Sequence, residues 1–420
     1  MIFKKANILL PNVSDYSKWS VVACDQYTSE PEYWNGVKEY IGRSASTLKL
    51  VFPEVYLDQG GRKARINKIN ETMQKYLDSG KFTEYKDSLI LTQRTQRDGR
   101  TRYGIVGCVD LEKYNFKKGA TPLIRATEGT VIERIPPRVE IRQNAPLEFP
   151  HIILLADDKN KTIIEPLIAK KDELKKVYDF DLMQNSGHLT GYLLNGKVAD
   201  GVLKAVDKLG DKEAFSKKHG TDKVLQLAVG DGNHSLATAK TVWENVKPTL
   251  SSDQKRNHPA RFALVEVMNI YDEALEFEPI HRIVFGANPK ELISALQDYA
   301  TKLDGMSNAQ SIKIIQNGKA KEFTFDSPIQ NLAVGTLQVF LDDYAKTHDI
   351  TIDYIHGEDV VRSLSKQDNA IGFLLPSMQK EELFPTVIKD GALPRKTFSM
   401  GEAHDKRFYM EGKAIKSLES

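Results

Sequence analysis

The sequence predicts a mixed α/β fold of the α+β kind, in which helices and strands alternate and the sheets are mixed. Segments with apolar residues at helical spacing alternate with short apolar runs typical of strands. Glycine, proline, asparagine and aspartate mark turns between these segments. The chain has 420 residues, of which 40% are hydrophobic and 28% are charged. This length exceeds one average domain, and the composition is typical of a soluble globular protein.

The first part of the chain contains two helical segments and a strand pair. The stretch 29–42 predicts a helix that is entered through a proline. In 63–79 the apolar residues recur every three or four positions, which predicts a second helix. The runs 87–96 and 100–111 predict two strands, because an Asp-Gly turn separates them.

Helices and strands continue to alternate through the rest of the chain. The further segments with helical patterns are 196–209, 237–243, 290–302 and 336–347. The further runs with strand character are 121–129, 138–144, 150–158, 174–183, 225–229, 261–271, 279–285, 312–315, 322–325 and 370–376. Changes of pattern near 120 and 288 predict three regions. These are an N-terminal α/β region at 1–120, a core at 121–288, and a C-terminal α/β region at 289–420 that contributes a closing loop.

Charge and composition exclude several classes of protein. The formal net charge is +2, so no basic field indicates nucleic acid or an acidic membrane surface as partner. No apolar segment approaches the roughly 20 residues that span a bilayer. The first twelve residues are too briefly apolar for a signal peptide, and two cysteines form no disulfide framework. We therefore expect a cytoplasmic protein with a small-molecule substrate, without nucleic acid or membrane.

The most distinctive segment is LQLAVGDGNHSLATAK, residues 225–240. An apolar run ends there in a polar turn, and helical sequence follows at once. The turn consists of Gly230, Asp231, Gly232, Asn233, His234 and Ser235. Backbone N–H groups at such a helix start can bind a phosphate or a carboxylate. The alternative is a tight β–α turn without ligand, in which the glycines adopt positive φ and Asn233 or Ser235 caps the helix.

His234 favours the ligand-binding interpretation. The macrodipole at a helix start disfavours a cationic imidazole. We therefore expect a neutral His234 that donates to a phosphate oxygen.

A second candidate is the arginine-rich segment 125–145. If it forms a strand, Arg138, Glu140 and Arg142 share one face of it. Forked guanidinium groups on one face suit recognition of phosphate or carboxylate. The alternative is a solvated strand face on which the charges compensate each other.

Two further segments carry cationic side chains. His281 and Arg282 lie beside an apolar strand-like run, and Lys396 and His404 lie in the polar segment 394–407. That segment could be an anion-binding loop that closes over a site. The alternatives are a surface cation pair and an exposed tail.

Asp25 and Glu30, near the N-terminus, are the candidate metal ligands. As paired carboxylates they could hold Mg²⁺, although helix capping and packing explain them equally well. The sequence contains no HExxH motif, no Cys/His zinc spacing and no GxSxG nucleophile elbow. Zinc hydrolase and serine esterase chemistry are therefore unsupported.

Seven segments in this order resemble the domain-of-unknown-function family 1015. They are ACDQYTSEPEYW, PEVYL, RATEGT with RIPPRVEIR, PHIILLADD, VGDGNHSLATAK, FEPIHR and PRKTF. The resemblance runs from about residue 7 to the end of the chain. Where most relatives have His-His-Arg after the Asp-Gly of the turn, this chain has Asn233-His234-Ser235. That departure suggests a distinct subgroup.

The resemblance implies a fold and a function. The central motif of that family is similar to the ParB/sulfiredoxin-like fold, whose turn binds nucleotide or pyrophosphate phosphates. That fold includes free L-serine kinases, which make O-phosphoserine from a nucleotide or pyrophosphate donor. The resemblance thus implies a ParB-like core at 121–288 and a kinase that transfers phosphate to an alcohol, with Mg²⁺ as helper.

The resemblance also suggests roles for individual residues. Asp231 and His234 fall in the phosphate turn, and Glu128 is a candidate base. Arg138 and Arg142 would neutralise phosphate charge. Phosphoryl transfer needs positioning, cations around the phosphoryl group and a carboxylate for the hydroxyl proton, and these residues would supply all three.

Two alternatives to a kinase remain. A non-catalytic regulator that binds a nucleotide or phosphometabolite would keep the turn and the arginines without needing Glu128 or Asp231. Nucleic-acid binding, by analogy with ParB, is opposed by the net charge of +2. The sequence leaves the oligomeric state open, with a homodimer as one expectation.

Overall fold

The computed structural model describes residues 1–117 and 119–416 and divides the chain into two compact units. The first unit contains Met1–Ala126, Thr130–Leu275 and 402–416. The second contains Thr127–Gly129 and Glu276–Gly401. The sequence predicted three regions with changes near 120 and 288, whereas the units change over after residues 126, 129, 275 and 401.

The described chain forms the following strands and α-helices. The strands are Phe3–Lys4 (β1), Ala6–Pro11 (β2), Phe82–Thr95 (β3), Thr101–Asp110 (β4), Ile124–Ala126 (β5), Leu147–Glu148 (β6), Ile153–Ala156 (β7), Lys175–Asp181 (β8), His188–Leu194 (β9), Leu227–Asp231 (β10), Phe262–Asn269 (β11), Phe277–Phe285 (β12), Gln310–Gln316 (β13), Lys319–Phe325 (β14), Thr351–His356 (β15), Ala370–Leu374 (β16), Phe398–Met400 (β17) and Lys413–Ala414 (β18). The helices are Tyr16–Trp19 (α1), Pro31–Ile41 (α2), Arg62–Asp78 (α3), Ile135–Arg142 (α4), Glu165–Ile168 (α5), Gly196–Lys208 (α6), Lys212–His219 (α7), Asn233–Val246 (α8), Ser252–Asn257 (α9), Pro289–Thr301 (α10), Ala333–Tyr344 (α11), Glu358–Leu364 (α12) and Lys380–Asp390 (α13). The predicted mixed α/β class is therefore confirmed.

A large mixed sheet forms the centre of the first unit. Its strands follow the order β5-β10-β7-β11-β4-β3-β9-β8, with β1 paired to β4 and β2 to β3. β10 runs parallel to β5 and antiparallel to β7, whereas β7 runs parallel to β11. Successive side chains along each strand point to opposite faces of the sheet, so each face buries its own apolar cluster. Ile90, Val106 and Leu264 belong to one cluster, and Leu91 and Ile105 to the other.

The second unit is built on a smaller sheet. The order of its strands is β14-β13-β16-β12-β15, and β17 pairs with β12. The neighbouring pairs in this sheet are antiparallel. Apolar residues of β12 and β16, such as Ile283, Val284 and Phe373, are fully buried.

One predicted strand is a helix. Residues Ile135–Arg142 form α4, whereas 138–144 was expected as a strand. Pro136 and Pro137 lie in the first turn of the helix, where the fixed φ of proline fits and its missing N–H costs nothing. The alternation of charged and apolar residues at 138–142 suggested a strand and therefore hid the helix.

None of the helices in the described chain is long and apolar enough to cross a membrane.

Candidate functional site

The turn between β10 and α8 has the strand–turn–helix geometry that the sequence predicts. Gly232 precedes the helix with φ 80°, a conformation that favours glycine. A Cβ at this position would lie 3.0 Å from Cα of Ile152, so the turn also needs a residue without a side chain. Gly230 lies in the last part of β10, half-buried. The positive φ of Gly232 and its close approach to the backbone of Ile152 thus fix the turn between β10 and α8.

The first turn of α8 has no side-chain cap. The two caps that the sequence suggested, Asn233 and Ser235, do not supply one, because both residues lie inside the helix. Within the described residues, no group accepts a hydrogen bond from the N–H groups of Asn233, His234 or Ser235. Oδ1 of Asn233 is also buried without a partner. The helix start therefore keeps its donors available for an anion.

Asp231 and Lys406 form an ion pair at this turn. Oδ1 of Asp231 accepts from the N–H of Gly232 at 2.9 Å, and its Oδ2 lies 3.4 Å from Nζ of Lys406. The turn therefore carries one carboxylate and one cationic side chain in addition to its N–H groups.

His234 is held neutral. Burial, together with the charges of Arg138 and Arg134, lowers its pKa to about 4 against the opposing charge of Asp25. Its Nε2 accepts from the N–H of Val131 at 3.3 Å, so the proton of the neutral ring is on Nδ1. The imidazole is neutral, as expected, but burial and the nearby arginines cause this.

Arg138 and Arg142 lie one helical turn apart on α4, which packs against α8. They therefore share a face, as the strand prediction also required. Arg138 forms an ion pair with Glu54. Arg142 donates to Oε2 of Glu148 at 2.5 Å.

Glu140 takes a different direction from the two arginines. On a strand it would have shared their face, but on the helix its carboxylate lies 3.1 Å from Nε of Arg62. The helical geometry thus separates Glu140 from the arginines and leaves them paired with other carboxylates.

His151 is the centre of a buried polar network. Its Nδ1 lies 3.0 Å from the hydroxyl of Tyr409, and its Nε2 lies 3.3 Å from Oδ2 of Asp25 and 3.4 Å from Oγ of Ser235. Asp25 and Ser235 contact the same ring nitrogen, so this is not the relay of a serine hydrolase, in which they contact opposite nitrogens.

The two charges of this network stabilise each other. Burial opposes ionisation of both groups, but the charge of His151 and its hydrogen bond hold the pKa of Asp25 well below its usual range. For His151, burial lowers the pKa, but the charge of Asp25 and its hydrogen bond contribute to a net upward shift. Each group therefore favours the ionised form of the other.

A cavity of about 150 Å³ adjoins these residues. Its polar lining includes Arg138, Arg142, His151, Ser235, Thr238 and Tyr409, together with the carboxylates of Glu54 and Glu148, which pair with the two arginines. The rest of its lining is largely apolar and comes from Leu50, Val51, Phe52, Leu57, Ile69, Met73, Ile141, Ala145, Leu147, Phe149 and Ile152. The third residue of α8 and the two arginines of α4 thus share one cavity.

Four candidate residues belong to the second unit: Glu128, His281, Arg282 and Lys396. Glu128 forms a parallel bridge with Leu393. His281 is buried, and its Nδ1 accepts from the N–H of Leu375 at 3.1 Å. Burial lowers its pKa.

Arg282 is fully buried and its donors are occupied. It donates to Oε1 of Gln338 and to the carbonyls of Ile280, Arg395 and Lys396. Lys396 has a left-handed backbone with φ 56°. Arg282 therefore fixes the backbone at 395–396, and we leave it out of the proposed site.

The candidate metal ligands do not form a metal centre. Asp25 is paired with His151, and Glu30 is exposed. In the described chain, no group of three or more His, Cys, Asp or Glu side chains could hold a metal ion.

The structure thus brings together part of the predicted set. In the first unit, Ser235 of the turn lines one cavity together with Arg138 and Arg142. Asp25 pairs with His151 of the same lining. His404 lies two residues before Lys406, which pairs with Asp231. Sequence reasoning missed Glu54, His151, Lys406 and Tyr409. Two of them lie in PEVYL and PHIILLADD, which carried the family resemblance, so their polar residues were the available signal.

Comparison with known families identifies the relatives of this chain. The sequence profile of the family described as "Protein of unknown function (DUF1015)" matches residues 9–378. The chain belongs to this family. The resemblance seen in the sequence is therefore confirmed, whereas the ParB-like core stays a prediction. A search of curated proteins finds no match.

Several solved structures are similar at low identity. A free serine kinase in complex with AMP has 10% identity and a TM-score of 0.38, over 73% of this chain and 91% of that one. A conserved hypothetical protein from Pyrococcus furiosus has 11% identity and a TM-score of 0.35, over 74% and 94%. SbnI with a C-terminal truncation, from Staphylococcus aureus, has 11% identity and a TM-score of 0.34, over 70% of this chain and 83% of that one. At these scores the likeness carries no argument about function.

Proposed function

We propose that this protein transfers a phosphoryl group from a nucleotide or pyrophosphate to the hydroxyl group of a small molecule, and that the acceptor is free L-serine. The acceptor is suggested by the resemblance of the turn 230–235 to the phosphate turn of the ParB-like proteins. The geometry of the first unit supports the binding of a phosphate.

One observation carries the proposal: the uncapped start of α8 shares a cavity wall with two arginines. The N–H groups of Asn233, His234 and Ser235 have no acceptor in the described chain, and Ser235 lines the cavity together with Arg138 and Arg142. Helix N–H groups and guanidinium groups bind phosphate oxygens by charge-assisted hydrogen bonds.

The proposed step has a simple balance. The acceptor hydroxyl oxygen forms a bond to phosphorus while the bond from phosphorus to the leaving oxygen of the donor breaks. The carboxylate of Asp231 takes the hydroxyl proton, and Glu128 is the other candidate for this role. Arg138 and Lys406 offset the negative charge of the transferred group, and neutral His234 donates to it through Nδ1.

Magnesium is proposed as the accompanying ion. The described residues offer no cluster of three ligands, so a fully protein-bound magnesium site does not fit them. Mg²⁺ more often binds one or two carboxylates together with substrate phosphates, and Asp231 could serve as such a carboxylate. When bound, the ion would neutralise phosphate charge.

The test is a turnover assay with matched variants. The purified full chain is incubated with L-serine, Mg²⁺ and ATP, ADP or pyrophosphate, and O-phosphoserine is measured by mass spectrometry. Arg138→Gln should lower turnover by about tenfold or more, because one charge-assisted contact is lost. Arg62→Gln is the control, since Arg62 only pairs with Glu140 at the surface. Absence of product with all three donors, and with other hydroxy amino acids, contradicts the proposal.

A regulator that binds without turnover is the second candidate. The ion pair between Asp231 and Lys406 favours it, because the carboxylate that would take the proton is already engaged by a cationic side chain. Glu128→Gln and Asp231→Asn separate the two functions. A kinase loses turnover in at least one of these variants, whereas a regulator has no turnover and keeps its ligand affinity in both.

A further inference from the structure

Two arginines lie side by side in the interior of the first unit. Arg94 and Arg102 are directly opposite each other on β3 and β4, and their exposed fractions are 2% and 4%. Burial lowers the pKa of Arg94 to about 9, and the charge of Arg102 lowers it further. Two adjacent buried cations are costly unless each has a partner.

The two arginines differ in their partners. Arg94 donates to the carbonyls of Thr95, Ser186 and His404. Arg102 has no hydrogen bond or ion pair from its side chain to any described residue, and its Nε is fully buried. Nε of Arg102 is therefore a buried donor without an acceptor, and the guanidinium group has no partner among the described residues.

Other buried polar atoms in the same region also lack partners. Oδ1 of Asp405 and Oγ of Ser186 have none within the described chain, and neither has Oε1 of Gln96, which directly follows the end of β3. Asp405 is next to His404, whose carbonyl accepts from Arg94, and its charge acts on Arg94. The unsatisfied atoms are thus both cationic and anionic, which is rare in a native interior.

The fixed charges of this region already balance. Arg407 lies between Glu266 and Glu411, at 2.8 and 2.5 Å, and Glu266 also acts on Arg94. The three guanidinium groups and the three carboxylates are those of Arg94, Arg102, Arg407, Asp405, Glu266 and Glu411. A simple anion or cation would upset this balance. A ligand that carries one charge of each sign would not.

The region lies next to the phosphate turn. Asp405 precedes Lys406, and Nζ of Lys406 is 3.4 Å from Oδ2 of Asp231. Asp405 is thus linked to the turn through the side chain of its chain neighbour Lys406.

We infer that Arg102 and Asp405 form a subsite for the zwitterionic head of a free amino acid. Arg102 binds the α-carboxylate and Asp405 binds the α-ammonium group, while Gln96 and Ser186 supply further polar contacts. The side chain of the amino acid then extends toward the turn at 231–235. The proposed function already names free L-serine as the acceptor, and this inference assigns residues to the amino-acid head of that acceptor. It rests on the proposed function only for the role of the hydroxyl group.

Calorimetric titration of the full chain with four small ligands tests the subsite. L-Serine and L-alanine carry both charges, ethanolamine lacks the carboxylate, and 3-hydroxypropanoate lacks the ammonium group. We expect L-serine and L-alanine to bind, and each of the other two to bind at least about tenfold more weakly, because one charge-assisted contact is lost. Equal binding of either single-charge ligand, or no binding of L-serine and L-alanine, overturns the inference. The second result would mean that water alone fills the region.

Variants locate the subsite and separate it from the proposed function. Arg102→Gln should weaken L-serine binding by about tenfold or more, whereas Arg256→Gln, at an exposed ion pair on α9, should not change it. Unchanged binding by Arg102→Gln contradicts the inference. If both zwitterions bind but no O-phosphoserine forms, the subsite stands and the kinase proposal fails. If O-phosphoserine forms with the same KM for L-serine in Arg102→Gln, the kinase stands and the subsite fails.

Discussion

Nζ of Lys406 lies 3.4 Å from Oδ2 of Asp231, and this ion pair joins the C-terminal segment to the turn at the start of α8. The two residues are far apart in the sequence, so only the fold brings them together. A phosphate at the uncapped helix start would share the lysine with Asp231, because both are anionic. Lys406 therefore links the occupancy of the turn to the segment that contains Asp405 and Arg407.

Replacement of Lys406 should weaken the binding of phosphate ligands. Lys406→Met removes a cation next to the turn, and we expect pyrophosphate or ADP to bind about tenfold more weakly, as for one lost charge-assisted contact. Lys406→Arg keeps the charge and should bind within about threefold of the wild type. Titration calorimetry measures both. Equal affinity in Lys406→Met would show that the ligand binds elsewhere.

A side chain at Gly232 should distort the turn. Gly232→Ala forces φ 80° on a residue with a Cβ and places that Cβ 3.0 Å from Cα of Ile152. We expect a loss of about 1–2 kcal/mol in the free energy of unfolding, together with weaker phosphate binding. Gly201→Ala in α6 is the control, since its Cβ meets nothing within 4 Å and alanine favours a helix. Urea unfolding followed by circular dichroism compares the two, and equal stabilities would contradict the strain at Gly232.

Loss of Arg142 should destabilise the fold as well as the site. Glu148 is 1% exposed and is held by Arg142, by Lys413 at 3.3 Å and by the N–H of Leu264 at 2.9 Å. Arg142→Met leaves this buried carboxylate with weaker compensation, and we expect a loss of about 3 kcal/mol in the free energy of unfolding. Arg62→Met removes an exposed ion pair and should cost less than about 1 kcal/mol. Similar losses in both variants would refute the structural role of Arg142.

The pair of Asp25 and His151 should make stability depend on pH. The pKa of His151 is raised above 6.5, so its contribution is complete below pH 6.5 and is lost as the pH rises through the raised value. The pKa of Asp25 is lowered, so its contribution is complete above pH 3.8 and is lost as the pH falls.

Urea-unfolding midpoints between pH 6 and pH 9 test this dependence on the alkaline side. The wild type should lose stability over this range, and Asp25→Asn should show a much smaller loss, because His151 then lacks the charge that raises its pKa most and burial favours the neutral ring. Parallel curves for the two proteins would show that the ion pair does not contribute.

Local patterns in the sequence predicted much of the fold. The helix at 63–79 and the strands at 87–96 and 100–111 agree with α3, β3 and β4 within a few residues, because their apolar periodicity is strong. The strand–turn–helix at 225–240 agrees with β10 and α8 for the same reason. The prediction of a strand at 138–144 was wrong, because a short alternating run fits both the strand and the helix periodicity. The two prolines before it favour the start of a helix.

The site was only partly predictable from the sequence. Glycines and a histidine next to each other in the chain revealed the turn, and Arg138 and Arg142 lie four residues apart, so each group is local. His151 and Lys406 reach the turn only through the tertiary fold, as does the pairing of Arg94 with Arg102 across two strands. Burial also decides which arginines are open to a ligand, and a sequence pattern does not show that Arg282 is occupied by carbonyls.

A crystal structure of the full chain grown with pyrophosphate tests the phosphate site most directly. One phosphate group should lie within hydrogen-bond distance of the N–H groups of Asn233, His234 and Ser235, with Arg138 or Lys406 as a cationic partner. Pyrophosphate bound away from the start of α8, with these N–H groups hydrogen-bonded only to water, would contradict the proposed site.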